Sequence, residues 1–299
     1  MPVSLPLTAP ADFLPVSRVI EDDGAVKFCQ RTPEGSEIES VIIPMGARDN
    51  TWRTLCVSSQ VGCARGCTFC QTARMGLLRN LSIDEILGQV CAAREQFGAD
   101  VRNVVFMGMG EPMDNLDNVI EAVSRMHDDP INQIPRRRVT ISTVGRCEGI
   151  RRLAALGWRR LNLAVSLNAP NDEIRSQIMP INRAEPMAKL REAIASYPVR
   201  AGGHVLIEYV LIAGLNDRPE HAEQLAEYLA ELATCVNLIP MNPIDDSPFA
   251  APSEAVCDEF QTVLMRRGQL AFRRWTKGQR AMAACGQLGN RLIRPPRAV

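Results

Sequence analysis

The sequence predicts an α/β protein: a partial parallel (β/α)6 barrel with a short β-rich N-terminal extension and a small C-terminal one. Three observations predict it. From residue 54 onward, short β-branched runs alternate with amphipathic helical stretches. Six such units follow one another without a break, as parallel strands joined by right-handed crossovers require. The residues of chemical character fall just after the strands, at the end where α/β folds build their sites.

Residues 1–50 read as a β-rich lead-in, in which ESVIIP (39–44) is a strand and GARDNTW (46–52) a turn. TLCVSS (54–59) is the first core strand and runs into a cysteine-rich loop. Ser82 caps the next helix, with Glu85 at the capping-box position and apolar residues at 83, 86, 87 and 90. VRNVVFMGM (101–109), RRVTISTVG (137–145), RLNLAVSLN (160–168), HVLIEYVLI (204–212) and CVNLIPMNP (235–243) are the remaining core strands. Helices over 116–127, 147–157, 171–178, 185–197 and 219–232 connect them, and Gly157 is placed to end the second of these. A helix over 253–267, a short strand over 269–275 and a basic tail complete the chain. The expected divisions are a lead-in over 1–50, a core over 51–245 and a C-terminal extension over 246–299.

With 299 residues, 46% of them hydrophobic, the chain can bury an ample core. No stretch approaches the roughly 20 apolar residues of a membrane span. Pro2, Pro6, Pro10 and Pro15 break the apolar N-terminus, which also lacks a basic leader segment. A cytoplasmic protein without membrane contact is expected. The ten cysteines are then expected to be reduced, and a cluster of them points to metal binding or catalysis.

Cys63-Ala64-Arg65-Gly66-Cys67-Thr68-Phe69-Cys70 has CxxxCxxC spacing. Thiolates at these intervals on one tight loop can converge on an iron–sulfur cube, and Gly62 and Gly66 let the loop close around it. Three ligands leave one iron open to a small chelating molecule. The competing reading, a zinc site, wants a fourth ligand and a second paired motif, and the chain has no second CxxC. Gly108-Met109-Gly110-Glu111-Pro112 follows the next strand, where glycines allow close backbone approach and Glu111 offers charge pairing; a plain strand-to-helix turn would also fit.

The segment TLCVSSQVGCARGCTFCQTARMGLLRNL resembles the radical S-adenosylmethionine (SAM) rRNA adenine methyltransferases of the RlmN/Cfr type. GMGEPMDN, RRVTISTVG, LAVSLNAPNDEIRSQIMPIN, IEYVLIAGLND, NLIPMNP and AACGQL extend the resemblance from about residue 39 to 290. It implies a barrel of radical SAM type, with a [4Fe–4S] cluster on Cys63, Cys67 and Cys70 and SAM at the open iron. It implies SAM contacts at Gly110, Glu111, Ser142, Ser166, Leu167, Asn168 and Asn242. It makes Cys285 the methyl-accepting cysteine, Cys56 the cysteine that resolves a protein–RNA adduct, and Glu39 a proton acceptor.

The implied chemistry explains two further cysteines. An adenine amidine carbon is electron-poor and cannot attack a methyl sulfonium. Cys285 is therefore methylated first, the methyl group is activated by hydrogen abstraction and adds to the base, and Cys56 then attacks the Cys285 sulfur to release product. Both thiols need thiolate character. Read alone, Cys56 and Cys285 would also fit small packed residues. Cys29, Cys91, Cys147, Cys235 and Cys257 read as structural.

The chain departs from the family in having SLN (166–168) for SLH and Met241-Asn242-Pro243 for WNP. Four extra residues separate ESVIIP from LCVSS, and only 38 residues precede Glu39, where the family carries a larger N-terminal helical domain. The expectation is a chain lacking most of that accessory domain. Basic and acidic residues number 34 each, so RNA contacts would fall on local patches: Arg136–Arg138, Arg151/Arg152, Arg159/Arg160, Arg266/Arg267 and Arg273/Arg274. Each also fits a solvated helix face or strand edge. The expected function is methylation of an adenine ring carbon, carbon 2 or carbon 8, of ribosomal RNA. The substrate could extend to tRNA, with a flavodoxin- or ferredoxin-type electron donor and a monomeric enzyme. One alternative is a methylase of the same mechanism acting on another RNA, a nucleotide, a small molecule or a peptide. The other is a non-catalytic iron–sulfur RNA-binding or sensor protein, which would need neither Cys56 nor Cys285.

Overall fold

The computed structural model describes residues 14–45, 52–274 and 282–289. Of the expected turn over 46–52, residues 46–51 lie outside them and Trp52 opens a strand; the basic tail beyond 289 also lies outside them. Two compact units are distinguished: Met1–Ala64 with Gln71–Ile141 and Lys277–Val299, and Arg65–Cys70 with Ser142–Thr276.

In the first unit, β1 (Val16–Asp22), β2 (Ala25–Arg31), β3 (Glu37–Met45) and β4 (Trp52–Cys56) pair antiparallel in chain order. The β-rich lead-in thus continues into the first core strand. β5 (Gln60–Gly62), α1 (Gln71–Met75) and β6 (Leu77–Asn80) follow, with β5 and β6 forming a small hairpin-like pair. Then come α2 (Ile83–Glu95), β7 (Val101–Phe106), α3 (Leu116–Asp128) and β8 (Val139–Thr143), of which Ser142 and Thr143 belong to the second unit. β4 pairs in parallel with β7, and β7 with β8. The capping box expected on α2 is present: Ser82 accepts from the Glu85 amide, and Glu85 accepts from the Ser82 amide. α3 buries Leu116, Val119, Val123 and Met126, the stripe that a 3.6-residue period places on one face.

The second unit holds α4 (Cys147–Ala155), β9 (Asn162–Ser166), α5 (Asp172–Ile178), α6 (Met187–Ser196) and β10 (Val205–Leu211). It continues with α7 (Pro219–Tyr228), β11 (Thr234–Pro240), α8 (Glu254–Arg266) and β12 (Ala271–Arg273). β9, β10, β11 and β12 pair in parallel in that order. Alternation along β10 sorts its residues. Val205, Ile207, Tyr209 and Leu211 share one face, on which Tyr209 meets Phe260 of α8 at 5.3 Å between ring centroids. Glu208 lies on the other face.

Helix and strand ends differ from the sequence reading by a few residues, as fraying ends do. α7 stops at Tyr228 rather than near 232 because the chain turns there, with Glu231 in the left-handed region (φ 65°). α1 and the β5–β6 pair had not been expected.

Candidate active site

The cysteine loop leaves β5 and enters α1. Cys63 N donates to Gly76 O at 2.9 Å, Thr68 N to Ile178 O at 3.0 Å, and Cys70 N back to Cys67 O at 3.2 Å. The turn into the loop demands glycine: Gly62 has φ 79°, and a Cβ there would lie 1.9 Å from the Gly76 carbonyl oxygen. Cys63 and Cys67 are buried and Cys70 half-buried. Three soft thiol donors on one backbone-fastened loop, with no fourth cysteine in it, fit a [4Fe–4S] cluster that keeps one iron open.

The segment after β7 is zipped to the segment after β4. Gly108 N donates to Val57 O (3.0 Å), Met109 N to Ser58 Oγ (2.9 Å) and Glu111 N to Gln60 Oε1 (2.9 Å). A Cβ at Gly108 would meet Val57 O at 2.7 Å, and one at Gly110 (φ 98°) would meet Gln60 Cβ at 2.6 Å. Glu111 is buried, and its Oε1 caps the Met113 amide at 3.0 Å. The buried Ser59 hydroxyl beside this platform has no hydrogen-bond partner among the described residues. An unsatisfied buried hydroxyl next to two obligatory glycines suits a site that admits a polar ligand.

In the second unit, Ser142 and Ser166 are half-buried on β8 and β9, and Leu167, Asn168 and Asn242 are buried. Leu167 N and Asn168 N both donate to Glu208 O, at 3.0 and 3.3 Å. Asn168 has φ 58°, a conformation asparagine tolerates well, and its Oδ1 accepts from Val210 N at 2.9 Å. The side chain that stands where the family has histidine is thus engaged with β10. Sequence reasoning missed the residue that fastens this loop. Arg175, fully buried, donates to Leu167 O, Val144 O, Glu185 O and Asn182 Oδ1.

Glu208 was also missed. It is buried on β10, and its Oε2 accepts from Asn237 Nδ2 at 2.7 Å. Burial pushes its carboxyl above the ordinary range. The folded chain then holds the proton more tightly than the unfolded chain. Its contribution to stability is present below the ordinary glutamate range and is lost as pH rises through the elevated value. Glu208→Gln keeps an acceptor for Asn237 without the charge. It is expected to melt at a higher temperature than wild type at pH 8, with the gap closing toward pH 5. Thermal melts at the two pH values check this, and an unchanged gap would count against it.

Glu39, Cys56 and Cys285 all belong to the first unit. Cys56 ends β4, opposite Val41 of β3 and beside Val105 of β7. It packs in one apolar cluster with Val41, Met75, Met109, Ala283 and Leu288, so residues on either side of Cys285 in the chain share its packing. Glu39 is 1% exposed. Its carboxylate pairs with Lys27 at 3.1 Å and Arg18 at 3.3 Å, and its Oε2 accepts from Gly289 N at 2.9 Å. The segment carrying Cys285 is further bound to α1: Gln71 N donates to Gly286 O (2.7 Å) and Thr72 Oγ1 to Leu288 O (2.6 Å). Gln71 directly follows Cys70, the third cysteine of the loop. Neither Cys56 nor Cys285 is in a disulfide with a described residue.

The other cysteines are poor nucleophiles. Burial pushes Cys91 and Cys147 up to about 11, and it also raises Cys235, Cys257 and Cys29. Cys29, Glu37 and Glu39 draw three potential ligand atoms within 4.8 Å of one another. The Arg18 guanidinium donates to all three, at 3.4, 3.2 and 3.3 Å, and so supplies the positive charge there itself.

Of the arginine patches, Arg137 and Arg138 line a cavity of about 600 Å³ with Arg94 and Arg102, and Arg138 lies over the Trp52 ring at 6.0 Å. Arg151, Arg152, Arg159 and Arg160 are exposed. Arg273 is paired with Glu254 and Asp258, and Arg267 with Glu223.

The radical SAM superfamily model matches residues 57–229. A probable dual-specificity RNA methyltransferase RlmN 1 from Protochlamydia amoebophila is 47% identical over 278 residues, covering 93% of this chain and 76% of that protein. This chain belongs to the RlmN family of radical SAM methyltransferases. A dual-specificity RNA methyltransferase RlmN from Syntrophotalea carbinolica is 44% identical, covering 92% of this chain and 72% of its own length. The crystal structure of a radical SAM methyltransferase from Sphaerobacter thermophilus superposes with a TM-score of 0.85 at 42% identity, over 92% of this chain and 81% of that one. The α/β radical SAM fold read from the sequence is therefore the fold of this RlmN-family chain. It is a SAM-dependent radical methyltransferase whose cofactors are a [4Fe–4S] cluster and SAM. Among the described residues, no helix is long and apolar enough to cross a membrane.

Proposed function

We propose that this enzyme methylates a ring carbon of adenine, carbon 2 or carbon 8, in ribosomal RNA, with tRNA as a second substrate class. Cys285 carries the methyl group and Cys56 releases the product. The observation that carries this reading is the docking of the Cys285 segment. Cys56 packs in one apolar cluster with Ala283 and Leu288, which lie on either side of Cys285 in the chain, and the segment bearing Cys285 is hydrogen-bonded to the helix that begins after Cys70. The relatives named as dual-specificity RNA methyltransferases support the substrate class.

When bound, SAM and the cluster supply an electrophilic methyl group and a hydrogen-abstracting radical. Cys63, Cys67 and Cys70 would hold the cluster. Gly110, Glu111, Ser142, Ser166, Leu167, Asn168 and Asn242 would hold SAM, with the Glu111 carboxylate toward the methionine amino group. The Cys285 thiolate takes the methyl group by displacement. Glu39, whose Oε2 is one hydrogen bond from Gly289, receives the proton that the base carbon gives up. The Cys56 thiolate then attacks the Cys285 sulfur: a disulfide forms, the carbon–sulfur bond to the base breaks, and the released carbon takes up a proton to become the methyl group. The electron comes from a flavodoxin- or ferredoxin-type donor, and the enzyme acts as a cytoplasmic monomer.

The test is intact-mass analysis of anaerobically reconstituted wild type and Cys285→Ala after incubation with SAM. One cluster-dependent methyl group on wild type and none on the variant is the expected result. Cleavage of SAM with Cys285 never methylated would sink the reading. Nucleoside analysis of RNA treated with the enzyme then decides between carbon 2 and carbon 8.

A further inference from the structure

We propose that Lys27 is a positioning residue for Cys285, gripping with Glu39 the two ends of the segment that displays the cysteine. The inference rests on the reading of Cys285 as methyl carrier. Lys27 lies on β2 opposite Val41, and Glu39 lies on β3 opposite Cys29, so the two are diagonal neighbours across the strand pair. Lys27 Nζ is 3.1 Å from Glu39 Oε2 and donates to Met282 O at 3.1 Å. Glu39 Oε2 accepts from Gly289 N at 2.9 Å. One ammonium and one carboxylate oxygen therefore hold the residue three before Cys285 and the residue four after it.

Burial makes this arrangement costly to keep without a use. Lys27 is 4% exposed and Glu39 1%. Lysine and glutamate are almost never so buried unless paired, and a buried pair often contributes little net stability over apolar residues of the same volume. Such a pair can define geometry, because each ammonium proton and carboxylate lone pair needs a partner in a fixed direction. Lys27 spends one donor on Glu39 and another on the Met282 carbonyl. The α1 bonds to Gly286 and Leu288 fix the middle of the same segment. Ala283 and Leu288 are buried, while Cys285 between them is half-buried. The nucleophile is thus the displayed residue of a loop whose ends are held. Misplacing a reacting atom by about 1 Å can cost on the order of 100-fold in rate.

The experiment compares wild type, Lys27→Met and Lys27→Arg as reconstituted enzymes. It reads iron content, the single-turnover rate of Cys285 methylation and hydrogen exchange of the peptide containing Gly289. Lys27→Met is expected to keep its iron, to methylate Cys285 about 10- to 100-fold more slowly per loaded chain, and to exchange faster at Gly289. Lys27→Arg is expected to recover much of both. Wild-type rate and exchange in Lys27→Met would overturn the proposal. So would a variant that is merely less stable but methylates at the wild-type rate per folded, loaded chain. If wild type itself carries no methyl group on Cys285, the methyl-carrier reading fails, and exchange at Gly289 still decides whether Lys27 holds the segment.

Discussion

Cys56→Ala is expected to stop the enzyme at a covalent protein–RNA adduct, lowering the release of methylated RNA by at least about three orders of magnitude. The first half of the proposed reaction does not use Cys56, so Cys285 methylation and attachment to the base go ahead. The carbon–sulfur link then has no thiol to open it. Cys29, Cys91, Cys147, Cys235 and Cys257 are poor substitutes, because burial disfavours their thiolates, pushing Cys91 and Cys147 up to about 11. The variant itself should fold. Cys56 sits at the end of β4, and trimming its sulfur from a cluster with two methionines, Met75 and Met109, costs about 1 kcal/mol because those side chains can close the gap. Denaturing gels after incubation with labelled RNA read the adduct, and mass analysis locates the link on Cys285. Steady turnover by Cys56→Ala with no adduct would remove Cys56 from the release step.

The parts of this molecule that were legible in the sequence are those whose causes are local. The Ser82–Glu85 capping box, the β-branched runs and the apolar stripe of α3 are written within a dozen residues, and each appears where expected. The CxxxCxxC loop is local too. α1 and the β5–β6 pair are too short to show any period, so nothing in their composition announced them. Lys27, Arg175 and Glu208 were illegible for another reason. In AVKFCQ, EIRSQI and VLIEYV, a charged residue reads as the solvated side of its element. Its partners, at positions 39 and 282 for Lys27 and 144, 167, 182 and 185 for Arg175, are known only once the chain has folded. Asn168 is an intermediate case. The departure from histidine was visible, but its reason is tertiary: a left-handed backbone and a side chain that accepts from Val210 N.

Arg175→Met is expected to destabilise the chain by about 3–5 kcal/mol and to weaken SAM binding together with folding. The substitution roughly keeps the volume and removes the guanidinium. Three backbone carbonyls and the Asn182 amide oxygen, all reached at 2.6–3.2 Å, then lose their donor in a site from which water is excluded. Burial works against the charge of Arg175. The arrangement is sustained because four acceptors surround one planar fork, and Arg175→Lys, with three donors on a point charge, cannot reproduce it. A Cβ on Gly145 would lie 3.1 Å from Arg175 Nη2, so the loop after β8 leaves little room for a replacement to move. The functional consequence follows from what is tied. Val144 closes the loop that follows Ser142, and Leu167 is the middle of Ser166-Leu167-Asn168, so one side chain fastens two strand ends proposed to hold SAM. Denaturant midpoints and SAM titration of the reconstituted enzyme measure the two effects. A variant of wild-type stability would show that these carbonyls find other donors. A variant destabilised as predicted but with unaltered SAM affinity would place the cofactor contacts outside the loops that Arg175 fastens.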